Sequence, residues 1–221
     1  MTVKNDSPGV GELARTKLIQ AALDMFGQHG FDGVSIRQIS DSAGMNVASI
    51  SYHFGSKDGL YSAVADYISE QIATHSNAPV AAAESFINSA SLDAGEALQH
   101  ILNIVENTIE ILIPDSDQTK RWARFVTQFQ LGEHNQDHQL SKNPFHGLVT
   151  KLVSIVRHQP DNRLENAIIA QTIFGQILVF RVSRLSSKIA LNISTFGAEE
   201  VAQIKRVVFS NIQKLLLPEG A

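Results

Sequence analysis

VSIRQISDSAGMNVASISYHFGSKDGL, residues 34–60, decides how the rest of the chain is read. Ser35 followed by Gln38 is a capping-box start, so a short helix opens there with Ile36, Ile39 and Ala43 on one side. Gly44 ends it. Asn46 can cap a second short helix, which carries Val47 and Ile50 inward and stops near Phe54. Two short helices across a tight turn containing glycine make a helix-turn-helix. Its inner packing needs a small residue before the glycine and a branched apolar one after it; Ser40 and Ile50 fit. Ser56 then caps a longer helix.

The second short helix leaves Asn46, Ala48, Ser49, Ser51, Tyr52 and His53 off its apolar face. They are short and polar toward the front and aromatic toward the back, which suits a helix end laid in a DNA major groove. SISYHFGSKDGLY, residues 49–61, resembles the end of the DNA-binding domain of TetR-type transcriptional regulators. AALDMFGQHGFDGVSIRQISDSAGM, residues 21–45, is similar to the first part of the same domain. The resemblance covers roughly residues 13 to 61, and the joint spacing of its helices is specific. It implies contacts to DNA from the second short helix and from the helix N-terminus that follows. It also implies a homodimer whose last two long helices form a four-helix interface.

Read from the residues, Ser35, Arg37, Tyr52, His53 and Lys57 are expected to hold phosphates and set register. Asn46, Ala48, Ser49 and Ser51 are expected to meet base edges. The reading helix has no Arg, Lys or Gln for a bidentate base contact, so specificity should lean on backbone, water and DNA shape.

Composition bounds the class. The 221 residues carry a formal net charge of −4, and residues 1–77 hold five Lys and Arg against eight acids. That excludes a non-specific, charge-driven nucleic-acid coat and leaves room for a module whose few cations are placed. There is no Cys, hence no disulfide framework, thiolate metal site or Cys nucleophile. No signal peptide is readable, and the most apolar stretch, Ile168 to Val182, is too short to span a bilayer. The expected location is the cytoplasm.

Outward from the quoted stretch every periodic segment is helical, so the fold expected is all-α. Residues 1 to 10 form an arm. A first helix runs from about Gly11 to His29, with Gly30 as its stop and Phe31 folding back. The helix opened by Ser56 should end near His75, with the domain boundary after it: 1–77 reads DNA, 78–221 binds ligand and dimerises. A short Ala-rich helix from Pro79 to Ala90 follows. Asp93 with Glu96 caps the next, stopped by Pro114. Trp122, Phe125, Val126 and Phe129 lie on another before Gly132, and Glu133 to Asn143 reads as loop. Pro144 starts a helix with Leu148 and Leu152; Asp161 to about Leu185 and Thr195 to about Leu217 are the two long final helices. All six prolines fall at ends or gaps in this scheme.

His134, Asp137, His138 and His146 could be taken for a metal site, but clustered His in a polar segment is ordinarily surface, and no metal or cofactor is expected. The stripe Trp122, Phe125, Phe129, with Gln128 beside it and His100, Asn103 and Asn107 on the preceding helix, is a candidate small-molecule pocket; the plainer reading is core. The last two helices are apolar over more than one face. Gln171, Phe174, Gly175, Leu178 and Val182, with Val201, Ile204, Val208 and Ile212, are expected at a dimer interface. Neither an acid–base pair nor a nucleophile with an orienting partner can be placed, which disfavours an enzyme. A purely structural dimerisation protein would not need the polar face of the second short helix. The expected function is a dimeric repressor that binds double-stranded operator DNA and a small-molecule effector.

Overall fold

The computed structural model describes residues 10–132, 145–160 and 163–217. Within them ten helices follow one another: α1 Val10–His29, α2 Ile36–Ala43, α3 Val47–Phe54, α4 Lys57–Ile87, α5 Ala94–Leu112, α6 Asp117–Leu131, α7 His146–Val156, α8 Leu164–Val182, α9 Arg184–Leu191 and α10 Ala198–Leu216. No strand occurs among the described residues. The arm before residue 10 and the polar stretch 133–144, with its His134, Asp137 and His138, lie outside them. His146 is described: it opens α7, and its ring hydrogen-bonds the Ala167 carbonyl oxygen at 3.1 Å.

The described residues form two compact units. The first comprises those up to 69 together with 121–132, so most of α6 belongs with α1–α3 and the start of α4 and packs on α1 and α4. Its centre is aromatic. Tyr61 meets Phe26 at 4.8 Å, Phe31 at 5.0 Å, Phe125 at 5.1 Å and Phe129 at 5.4 Å between ring centroids. Arg121 fastens α6 to α1 through a forked pair with the Asp24 carboxylate. The second unit holds residues 70–120, 145–160 and 163–217 of those described. There α7 packs between α5 and α8, and α10 closes on both α5 and α8. Ile101, Ile104, Val105, Leu152, Ile173 and Ile177 form the middle of this core.

Two helix boundaries depart from the sequence reading. The stop expected after His75 does not occur: α4 is continuous to Ile87 with Pro79 inside it. A proline lacks the N–H that would bond the carbonyl four residues back, here that of His75. Asn107 of α5 supplies the missing donor, its Nδ2 reaching the His75 carbonyl at 3.0 Å, while its Oδ1 accepts from the buried Ser76 hydroxyl at 2.7 Å. The single cut expected at 77 therefore falls within an unbroken helix. The second departure is in the segment read as one helix to about Leu185. It breaks at Ser183, and α9 leaves α8 at 87°. Arg184 and Lys188 of α9 are held by Asp115, at 2.8 Å and 2.7 Å, which draws the chain aside. No single helix among the described residues is long and apolar enough to cross a membrane.

Candidate nucleic-acid interface

The two short helices are fixed by their own sequence at the start of each and at the turn between them. Ser35 accepts from the Gln38 N–H at 3.3 Å, and Gln38 Oε1 takes the Ser35 N–H at 2.8 Å, completing the capping box of α2. Gly44 adopts φ 65°, a left-handed conformation open to glycine, and its N–H closes α2 on the carbonyls of Asp41 and Ser40. Asn46 Oδ1 then accepts from the Ala48 N–H at 2.9 Å and starts α3. Ser40 and Ile50 are buried at the crossing, the Ser40 hydroxyl satisfied by the Arg37 carbonyl at 2.9 Å. With Ile50 held inward, the 3.6-residue period puts Ala48, Ser51 and Tyr52 outward. Tyr52 is 86% exposed, a large ring left in water, and stands edge-on to His53 at 4.9 Å.

Directly after α3, Ser56 Oγ accepts from the Gly59 N–H at 3.0 Å and caps α4. The first-turn N–H groups of a helix have no intrahelical acceptor and carry partial positive charge, which favours a phosphate there. Lys57 stands in this turn. Its ammonium lies 4.3 Å from the centre of the Phe31 ring, so it is positioned by the aromatic core beneath it. The turn between α3 and α4 is tight: Gly59 runs against the Phe54 carbonyl, so that a Cβ there would come within 2.0 Å of its oxygen.

The nine residues expected at DNA thus lie on α2, α3 and the first turn of α4 or, for Ser35 and Asn46, cap α2 and α3, all in the first unit. Ser35, Arg37, Asn46, Ala48, Ser51 and Tyr52 are exposed; Ser49, His53 and Lys57 are half-buried. Ser35 and Asn46 already use side-chain oxygens as caps.

The seven residues expected at a ligand do not belong to one unit. Trp122, Phe125, Gln128 and Phe129 sit on α6 in the first, where Phe125 and Phe129 are fully buried in the aromatic core. His100, Asn103 and Asn107 sit on α5 in the second. Asn107 braces α4 at Pro79, and Asn103 accepts from Gln99 at 2.9 Å. His100 packs on Phe86 at 4.9 Å, and its Nδ1 is buried without a hydrogen-bond partner among the described residues.

Of the residues expected at a dimer interface, Phe174, Ile204, Val208 and Ile212 turn into the core of the second unit. Gln171, Gly175, Leu178 and Val182 are exposed, and Val201 is half-buried. Ile168, Val179 and Val207 extend this outer apolar face. An open groove of about 440 Å³ runs along it, between Val179 and Phe180 of α8 and Ile204 and Val207 of α10, where Asn211 donates to Gln176 at 3.0 Å.

Periodicity did not mark three residues that geometry singles out. Gly59 carries the close approach just described; its signal is a glycine in the first turn of a long helix, a position that favours almost any other residue. Asp115 lies after a proline stop and reads as a loop acid. Arg181 lies on the inward face of α8, a charge at the position where the stripe through Ile173 and Ile177 continues.

Residues 18–64 match the family model described as bacterial regulatory proteins, tetR family. The HTH-type transcriptional dual regulator CecR of Shigella flexneri is 29% identical over 223 residues, covering 98% of this chain and 94% of that protein. A TetR-like transcriptional regulator from Rhodococcus sp. RHA1 has a similar fold, with a TM-score of 0.61 at 15% identity over 96% of this chain and 100% of its own. AibR, solved in complex with isovaleryl coenzyme A and operator DNA, gives a TM-score of 0.63 at 13% identity over 90% and 97% of the two chains. At these identities both structures speak to the fold. The sequence relative is named as a transcriptional regulator and not as an enzyme.

Proposed function

We propose, for a chain that belongs to the TetR family of transcriptional regulators, that it works as a homodimeric repressor, released from a palindromic operator by a small-molecule ligand. The observation that carries this reading is the doubly capped helix-turn-helix with Tyr52 standing in solvent and the α4 N-terminus beside it. Two such units related by a two-fold axis would place their α3 helices in successive major grooves, about 34–36 Å apart. Arg37, Tyr52, His53 and Lys57 hold phosphate in this reading, and Ala48, Ser49 and Ser51 face the bases. The dimer forms through the outer face of α8 and α10. The ligand binds in the second unit, where His100 is a candidate contact. It favours a packing in which α4 is tilted and the two α3 helices no longer match the groove spacing. Such a coupling need be only about 1–3 kcal/mol, and operator must then weaken ligand by the same factor. The work is done in the cytoplasm, where the operator is.

A gel shift against the DNA upstream of the gene tests it. Equal affinity for that duplex and for random duplex across salt concentrations would refute operator recognition. Lys57→Ala is expected to weaken binding about uniformly across operator variants and to lower the salt slope by about 1; an unchanged slope in a folded variant removes Lys57 from the phosphate set. Leu178→Glu places two like charges in an apolar interface and is expected to turn the dimer into monomer on sedimentation. A wild type that already sediments as monomer at micromolar concentration would overturn the dimer.

A further inference from the structure

Arg181 is 8% exposed and is the only charged residue among the buried ones described. Its neighbours one and two turns back on α8, Ile177 and Phe174, are core residues. Its Nη1 has no hydrogen-bond partner among the described residues. The carboxylate at this end of the unit, Asp115, is fully taken: Oδ1 by Arg184 at 2.8 Å, Oδ2 by Lys188 at 2.7 Å, the Phe196 N–H at 2.9 Å and the Thr195 hydroxyl at 3.0 Å. Arg184, three residues on at the start of α9, adds a second guanidinium and no compensation. Burial, and then the Arg184 charge, lower the Arg181 guanidinium to about 10, which leaves it protonated at neutral pH.

A buried charge persists only when something pairs it, because desolvation outweighs any benefit of packing its stem. A guanidinium presents a planar fork that fits a carboxylate or phosphate through two parallel hydrogen bonds. We propose that Arg181 anchors an anionic small molecule, a carboxylate or phosphate head on an apolar body that lies among the core side chains of the second unit. The proposal rests on the ligand-responsive reading above and names the chemical class of the effector.

The test compares the full-length wild type with Arg181→Met, which keeps the apolar stem and removes the charge. Melting temperatures are measured alone and with octanoate, octyl phosphate or, as the neutral control, octanol. Without ligand, Arg181→Met should melt at or above the wild type, since it relieves an unpaired buried charge. A variant that folds but melts lower means the guanidinium is already satisfied within the protein, and overturns the proposal. At a hundredfold its Kd, the bound anion should raise the wild-type melting temperature by roughly 5–10 °C. The shift should be lost in Arg181→Met, while octanol treats the two proteins alike. The stronger of octanoate and octyl phosphate identifies the head group. Shifts that are equal in both proteins, or absent from both, overturn the proposal; a carboxylate of a second protomer already seated on Arg181 would give the latter. Gel shifts with the same proteins separate this from the repressor reading. Anion binding through Arg181 that leaves operator affinity unchanged keeps the anion site and removes its role as effector site.

Discussion

Gly59→Ala is expected to abolish most operator binding and to cost about 1–3 kcal/mol of stability, the usual range for overpacking. A Cβ on Gly59 would sit 2.0 Å from the Phe54 carbonyl oxygen and 3.2 Å from its carbon, both backbone atoms that cannot swing aside. Relief requires the end of α3 to part from the start of α4. Both carry residues proposed to meet DNA, and a displacement near 1 Å is enough to spoil a preorganised site. The sign of the stability change is itself diagnostic. In an exposed helix interior, alanine for glycine stabilises by about 1 kcal/mol, so a variant with a higher melting temperature and unchanged operator affinity would refute the close contact.

Asp115→Asn is expected to be the other large effect, about 3 kcal/mol of lost stability, read as a fall in melting temperature of roughly 6–12 °C for a chain of this size. Asparagine keeps the shape, so the loss isolates charge. The Asp115 side chain is 11% exposed and ties together two segments: α9, through Arg184 and Lys188, and the chain ahead of α10, through Thr195 and Phe196. The lower end of the range for a broken buried pair applies because Arg184 and Lys188 keep some contact with water. Burial by itself would raise the Asp115 carboxyl. Hydrogen bonds from Lys188, the Phe196 N–H, Arg184 and Thr195 outweigh it and hold the group well below the usual carboxylate range. The unfolded chain therefore takes up its proton first as acid is added. The stabilisation is complete above the unfolded value, about 3.9, and is lost progressively as pH falls below it. Urea unfolding at pH 7 and pH 3 should show this acid loss in the wild type and much less of it in Asp115→Asn. Equal slopes in the two proteins would mean that Asp115 is not the group responsible.

The helix-turn-helix was legible in the sequence because its information is local. Ser35 with Gln38, Gly44, Asn46 and Ser56 act on backbone groups within four residues of themselves, and the structure finds each at the helix end it was read to mark. The fold class was legible for the same reason, as a 3.6-residue period repeated in segment after segment. Pro79 was misread because its rescue is not local: the carbonyl it strands at His75 finds its donor 32 positions away, on Asn107. The phase of α8 was equally out of reach. A helix apolar nearly all round has no preferred inward face of its own, so the stripe through Leu178 and Val182 read as well as the one through Ile173 and Ile177. Packing against α5, α7 and α10 chose the latter, and in doing so carried Arg181 into the core and left Leu178 and Val182 outside. Local hydrogen bonding and period determined the elements and the shape of the candidate DNA-reading surface; which faces are buried, and which charge is buried with them, was decided by contacts between segments far apart in the chain.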